Sequence, residues 1–334
     1  MTLGIGVVGT GMIGQDHIRR ITDVLSGGKV VAVTDADRTR AEKAAEKSGA
    51  QVYPDAAALT AAPEVDAVLD CSWGPAHEEA VLLALAAGKP VFCEKPLAAT
   101  QEACLRIVDA EASAGRRLIQ IGFMRRYDAA YRALKETVAS GRIGAPLMFH
   151  SAHRNASVPG HYTSDMAISD TMVHDIDVAR WLLDDEVARV RVFAGRRNPV
   201  GGELRDPIFA VMEMTGGALA TVEVSVNIGY GYDIRGEISA EKGAAALAQS
   251  SPVVVMAGDS FSGRVPADWR ERFVAAYDAE IAAWIAAAAA GGAAGPSAWG
   301  GYAIAGVSDA GLKAAATGEA VEVALIGRPA LYAA

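Results

Sequence analysis

Short apolar runs alternate with stretches of helical period over the first third of the chain. Residues 5–8, 30–34, 67–71, 91–93 and 118–122 are apolar enough to be strands buried on both faces. Between them, residues 13–25, 41–48, 77–87 and 100–114 repeat apolar side chains at helical spacing. Gly88 ends the third of these helices and Thr100 is placed to cap the fourth. This alternation predicts a doubly wound parallel sheet of the Rossmann type, ending near Gly122.

The pattern then changes. A helix over 128–140 precedes a long strand at 146–155, a polar loop to 167, and a helix over 170–183. Strand-like runs follow one another at 187–194, 207–214, 218–226, 232–240, 244–248 and 253–256, with Gly216-Gly217 marking a hairpin. Helices over 268–290 and 299–316 close the chain. Consecutive strands predict a large, open, mostly antiparallel sheet with helices on one face. Its other face needs cover, which a homo-oligomer (a tetramer or a dimer) would supply. The expected division is a dinucleotide-binding domain over 1–122 and an α+β domain for substrate and oligomerisation over 123–334.

A length of 334 residues with 51% apolar side chains suffices for two such cores. The net charge of −9 argues against nucleic acid or an anionic membrane as the main partner. Cys71, Cys93 and Cys104 lack metal-ligand spacing and are read as reduced thiols, with no metal site. The apolar stretch 281–295 is too short to span a bilayer, and the first residues run into a strand with no basic leader. A soluble cytoplasmic protein is expected.

Candidate chemistry lies outside the carboxyl ends of the parallel strands, where ligands of such sheets sit. The first strand runs into Gly9-Thr10-Gly11-Met12-Ile13-Gly14, a G-x-G-x-x-G turn that opens a helix. Its glycines allow a tight turn and close approach of the backbone to a pyrophosphate. Asp35 ends the second strand, 21 residues beyond Gly14, where a carboxylate accepts from ribose hydroxyls and repels a 2′-phosphate. The cofactor is therefore read as NAD. Asp37 is a second candidate for that role, and Arg38 leaves a phosphate-tolerant alternative open. The later strand ends carry Ser72 and Trp73, with His77 just beyond, then Glu94-Lys95-Pro96, then Met124 and Arg125. Lys95 falls where it would face the nicotinamide, although a surface lysine after a strand is equally common. Pro96 makes a cis Lys95–Pro96 bond accessible.

The stretch Ser169-Asp170-Thr171-Met172-Val173-His174-Asp175-Ile176-Asp177 reads as a helix start with Asp170 as N-cap. Asp170 and His174 are four apart and share a face; Asp177 follows about one turn later. A carboxylate and an imidazole together suit proton transfer near neutral pH, and equally a structural pair.

These motifs together resemble the glucose–fructose oxidoreductase/inositol dehydrogenase (Gfo/Idh/MocA) family over essentially the whole chain. The residues that carry the resemblance are Gly9 to Gly14, Glu94-Lys95-Pro96 and the Asp170-x-x-x-His174 helix. Within it, Met124-Arg125-Arg126-Tyr127-Asp128, His153-Arg154-Asn155, Tyr230-Gly231-Tyr232-Asp233, Asp268-Trp269-Arg270-Glu271-Arg272-Phe273 and Pro296-Ser297-Ala298-Trp299 are similar to the bacterial inositol dehydrogenase branch. One departure is Gly300, where members often carry Asp. The resemblance implies NAD-dependent oxidation of a cyclic polyol, myo-inositol to its 2-keto product, by Lys95, Asp170 and His174. In such chemistry His174 would take the proton, Lys95 would stabilise the developing alkoxide and Asp170 would orient the site. A polyhydroxylated ring would be gripped by Lys95, Met124, Arg125, His153, Asn155, Asp170, His174, Asp177, Tyr230 and Tyr232. The cofactor would meet residues 9–14, Asp35, Ser72, Trp73, His77, Glu94 and Lys95. The alternatives are the same chemistry on another inositol, an aldose or a modified sugar; an NAD-binding regulator with a degenerate site; and a non-redox enzyme holding NAD too tightly to exchange.

Overall fold

The computed structural model describes residues 2–248, 251 and 253–333. Six strands form one wholly parallel sheet: β1 (Leu3–Val8), β2 (Gly28–Thr34), β3 (Gln51–Val52), β4 (Ala67–Asp70), β5 (Val91–Glu94) and β6 (Ile119–Gly122), in the order β3-β2-β1-β4-β5-β6. Only β3 is absent from the hydrophobic pattern, because two residues carry no period. The helices between strands are α1 (Met12–Arg19), α2 (Arg38–Ser48), α3 (Ala56–Ala61), α4 (His77–Ala86) and α5 (Gln101–Ala114). Their starts follow from short polar side chains. Asp37 accepts from Thr39 N at 3.0 Å, and Thr100 accepts from Ala103 N at 3.2 Å. The strand order reverses between β2-β1 and β4, and this switch point is where a crevice opens at the strand ends.

By its contacts the chain divides into two units, Met1–Phe123 with Tyr277–Ala305 and Ile326–Ala334, and Met124–Ala276 with Gly306–Leu325. The first boundary falls beside the expected one. The stretches 277–305 and 326–334, which the expected division gave to the second domain, pack instead with the first unit. The reason is apolar: Ile281, Trp284 and Ile285 of α8 (Trp269–Ala289) share one buried cluster with Leu3, Ile5 and Val7 of β1.

The second unit contains α6 (Ala129–Ala139), α7 (Val173–Leu183) and a seven-stranded sheet. Its strands are β7 (Pro146–Arg154), β8 (Val187–Ala194), β9 (Ile208–Met214), β10 (Leu219–Ser225), β11 (Asp233–Ala240), β12 (Gly243–Ala246) and β15 (Val321–Glu322), ordered β12-β11-β7-β10-β9-β8-β15. Every neighbouring pair is antiparallel except β7 and β10, which run parallel. Burial alternates along β9 and β10, so one face is covered and the other open. The run at 253–256 does not join this sheet. It pairs as β13 (Val254–Ala257) with β14 (Ser260–Gly263) in a separate, exposed hairpin. The second long C-terminal helix, α9 (Ala298–Thr317), is capped by Ser297, whose Oγ accepts from Gly300 N at 3.1 Å; Gly300 thus lies in its first turn. Among the described residues, no helix is long and apolar enough to cross a membrane.

The C-terminal stretch is tied to the first unit by a buried carboxylate. Glu111 Oε1 accepts from Leu118 N and Ile119 N, both at 2.6 Å, and Oε2 accepts from the Tyr332 hydroxyl at 2.6 Å. Replacing it by leucine (Glu111→Leu) strands these three donors, each at a cost of about 1–3 kcal/mol. A marked fall in the urea midpoint is expected; an unchanged midpoint would show that water replaces the carboxylate.

Candidate active site

In the first unit, the turn between β1 and α1 is shaped by its glycines. Gly9 has φ +86°, and a Cβ there would lie 2.5 Å from Ser72 N and 2.6 Å from the Cys71 carbonyl. A Cβ on Gly14 would lie 2.1 Å from the Gly9 oxygen. Around Gly11 a Cβ would meet nothing within 4 Å. Two glycines are thus demanded by the protein's own packing, and the middle one borders open space. No side chain caps the first turn of α1, so its N–H groups are left for an anion. This cradle fits the pyrophosphate of a dinucleotide. Met12 is largely exposed and Ile13 half-buried.

Asp35 sits beside this turn and is bound to it. Its Oδ2 accepts from Thr10 N at 2.7 Å and from Thr10 Oγ1 at 3.0 Å; Oδ1 accepts from Asp37 N at 2.8 Å and pairs with Arg40 at 3.1 Å. Burial works against its charge, but the Asp37 and Thr10 donors and Arg40 outweigh it and hold the carboxyl below its ordinary range. Asp37 itself is spent as the cap of α2. The anionic edge expected for NAD is therefore present, and it also fixes the glycine turn.

The ends of β4 and β5 carry the remaining cofactor candidates. Trp73 is 81% exposed, available to stack on a planar ring. The Ser72 hydroxyl donates to Asp70 at 2.7 Å. Glu94 is turned inward. His17 Nε2 meets its Oε1 at 2.8 Å, and Oε2 accepts from Lys95 N at 3.1 Å. Lys95–Pro96 is cis.

In the second unit, the helix start differs from the sequence reading. Asp170 is not an N-cap. It lies inside a single π-helical turn, Ala167–Thr171, closed by Met172 N donating to Ala167 O at 3.0 Å, and α7 begins at Val173. Such turns recur at functional sites because they re-aim side chains without ending the helix. The Tyr162 hydroxyl shares a 2.6 Å hydrogen bond with Thr171 on this turn. Burial pushes the Tyr162 phenol above its ordinary range, and the Asp170 charge adds to that.

Residues 171–180 are buried throughout, so every charge among them needs a partner. Asp175 is the centre of that pairing. It accepts from Arg125 Nη1 at 2.7 Å, from Ser151 Oγ at 2.5 Å and from His153 Nδ1 at 2.9 Å. Burial would raise its pKa; Arg125, His153 and Ser151 outweigh it and hold the carboxyl well below the carboxylate range. His153 lies edge-on to Tyr232 with centroids 5.7 Å apart, and 6.2 Å from the His174 ring. Tyr232 is buried, which lifts its phenol, although its hydrogen bond with Arg125 works the other way. The structure thus gathers Arg125, Ser151 and His153 on a carboxylate that motif reading passed over, with the Tyr232 and His174 rings beside His153.

Other candidates stand differently. Arg125 is 1% exposed, so it acts from beneath the polar cluster. Asp177 is also buried, forked by Arg126 from Nε at 2.9 Å and from Nη2 at 2.5 Å, which makes it first an anchor for that arginine. Met124 is buried in the turn that delivers both arginines, and Asn155 is half-buried at the end of β7. Tyr230 does not join the cluster. Its hydroxyl donates to Asp233 at 2.6 Å and accepts from Arg154 at 3.2 Å, a group that belongs to the opposite face of β7 from His153. The signal for Asp175 was available: Arg125-Arg126 and Asp175-x-Asp177 are matched pairs of opposite charge.

A dinucleotide cradle with an acidic edge, beside a lysine-bearing strand end, and a separate buried histidine–carboxylate cluster define an NAD-dependent oxidoreductase. Residues 3–123 match the model of the oxidoreductase family with an NAD-binding Rossmann fold, and residues 131–246 match the GFO/IDH/MocA C-terminal domain. The chain belongs to the Gfo/Idh/MocA family. It is 52% identical to an inositol 2-dehydrogenase of Pseudomonas fluorescens, covering 100% of both chains. It is 50% identical to an inositol 2-dehydrogenase 3 of Saccharopolyspora erythraea, covering 99% of this chain and 98% of that one. It is also similar to a solved myo-inositol dehydrogenase from Lactobacillus casei in complex with NAD(H) and myo-inositol, at TM-score 0.97 and 40% identity over 99% of this chain and 100% of that one.

Because Asp175 has a depressed pKa in the folded state, the stability it contributes is present above the unfolded carboxylate value of about 3.9 and is lost as the pH falls through the folded value. Removing its charge (Asp175→Asn) should flatten the acid limb of stability and cost about 3–5 kcal/mol near neutrality, the scale for breaking a buried pair. Urea unfolding at a series of pH values measures both; an unchanged acid limb would place the dependence elsewhere.

Proposed function

We propose that this protein oxidises a secondary hydroxyl of a cyclic polyol, myo-inositol in first place, to the ketone with NAD. The observation that carries this reading is the full-length likeness to inositol 2-dehydrogenases, in a chain that has Lys95, Asp170 and His174. Bound oxidised NAD supplies the hydride acceptor. His174 takes the hydroxyl proton as the C–H electron pair leaves the carbinol carbon. The Lys95 ammonium donates to the same oxygen and stabilises its developing negative charge. Asp170 orients these groups. His153, Asn155 and Tyr232 bind neighbouring hydroxyls, with Asp175 and Arg125 holding His153 and Tyr232 from behind, and Asp177 contributing the lone pairs that Arg126 does not use. Asp35 favours NAD over NADP by repelling a 2′-phosphate. The open face of the second unit's sheet, where Phe193 and Phe209 are paired across β8–β9 and exposed, is the surface through which copies would associate in a dimer or tetramer.

The test is a panel of inositols, other polyols, aldoses and modified sugars with NAD and NADP, followed at the reduced-nicotinamide band. The highest kcat/KM is expected on myo-inositol with NAD; a higher value on an aldose would change the substrate assignment. Lys95→Ala and His174→Ala should lose most of kcat yet retain NAD binding, and retained turnover in either would remove that residue from the chemistry. Asp35→Ser should raise NADP use and also weaken NAD binding, because the Thr10 anchor goes with the carboxylate.

A further inference from the structure

His77, expected from the sequence to meet the cofactor, is buried instead and has no task in the reaction above, and its surroundings give it one. It is the first residue of α4 and only 1% exposed. Its Nδ1 lies 2.6 Å from the Pro96 carbonyl oxygen, and its Nε2 lies 2.9 Å from the Ser72 carbonyl oxygen. A carbonyl oxygen only accepts. Both contacts are hydrogen bonds only if both ring nitrogens carry protons, that is, if the ring is an imidazolium. A buried carboxyl group stands next to it, its pKa raised by burial while the neighbouring His77 pulls it the other way. Ligand atoms of Asp70, His77 and Cys93 all lie within 4.8 Å of one another, and Asp70 is fully buried. Asp70 Oδ1 accepts from Ser72 N at 3.0 Å and from its hydroxyl; Oδ2 has no hydrogen-bond partner among the described residues. The three side chains do not make a metal site, because both ring nitrogens already face oxygen acceptors and the Cys93 thiol, its pKa raised by burial, points at the Glu94 carbonyl at 3.2 Å.

We infer that His77 is a positioning residue, a buried imidazolium that links the end of β4 to the end of β5 and so fixes the backbone from which Lys95 projects. The linkage is two-sided. Glu94 holds Lys95 N at 3.1 Å, while His77 holds the next carbonyl, that of Pro96. Asp70 bonds Ser72, the residue whose carbonyl His77 grips. The lysine's reach toward a reacting oxygen is thereby set by a ring that need touch neither cofactor nor substrate. This inference rests on the role given to Lys95 above.

Two measurements test it. In the full-length protein labelled with ¹⁵N-histidine, His77, assigned by comparison with His77→Phe, should show two protonated ring nitrogens with slowly exchanging protons, with and without NAD. A single ring N–H at neutral pH would overturn the imidazolium. Kinetically, His77→Phe should lower kcat by about 10²-fold, the scale of a misplacement of about 1 Å, with the NAD dissociation constant nearly unchanged and a larger deuterium isotope effect on hydride transfer. His77→Gln, whose amide carries two donors, should recover part of kcat. A normal kcat in His77→Phe, or equal losses in the phenylalanine and glutamine variants, would overturn the positioning role. Lys95→Ala run in parallel separates the cases: turnover there refutes the lysine's role, whereas an inactive Lys95→Ala beside a normal His77→Phe refutes only the inference about His77. If His77→Phe does not fold, comparison with His77→Gln supplies the same assignment, and the ring-nitrogen measurement on the unmodified chain stands.

Discussion

A carboxyl group withdrawn from water is costly unless hydrogen bonds answer it, and such bonds organise both units. Glu111, Glu94, Asp175 and Asp177 are all buried, and each is met by donors from distant parts of the chain. In the first unit, Glu94 joins His17 to the backbone of Lys95, and His17 is in turn met by Arg20, whose other nitrogens reach Asp16 and Asp278. In the second, Asp175 and Asp177 sit two residues apart on the buried stretch 171–180 and take one arginine each from the tandem Arg125-Arg126. Apolar packing alone would tolerate many local arrangements. These bonds tolerate few, and they converge on the groups proposed to bind and react.

The elements whose residues act alone or in simple repeats were readable in the sequence. Five of the six parallel strands announce themselves as apolar runs, because both their faces are covered; β3 does not, because two residues at a sheet edge carry no period. The glycine turn and Asp35 were readable because each position has a steric or electrostatic reason that can be stated without a structure. What was not readable depends on geometry between elements. The π turn at Ala167–Thr171 leaves no mark in the apolar pattern, and it replaces the expected N-cap at Asp170. Tyr230 and Tyr232 are two apart, and only the sheet shows that the hydroxyl of one bonds on the open face while the other lies in the covered cluster. Asp175 was obscured by two neighbours, His174 and Asp177, that match a motif better.

Cofactor preference and cofactor grip are also less separable than a motif implies. Asp35 is usually considered for what it does to a ribose. Here its second oxygen holds Thr10, inside the glycine turn itself. Selectivity and the shape of the phosphate cradle thus share one carboxylate, and a change of one residue moves both.

The packing of Ile281, Trp284 and Ile285 against β1 has a consequence for the order in which the protein is made. A chain emerging from the ribosome presents its N-terminal portion first. Here the first 123 residues complete a sheet but not its cover: part of the apolar cluster on Leu3, Ile5 and Val7 is contributed by residues synthesised well over 150 positions later, and the bond from Tyr332 to Glu111 later still. The nascent first unit therefore waits with apolar surface showing until residues 281–285 have been made. The unit made first is completed late, and truncation before residue 281 would be felt at the first strand.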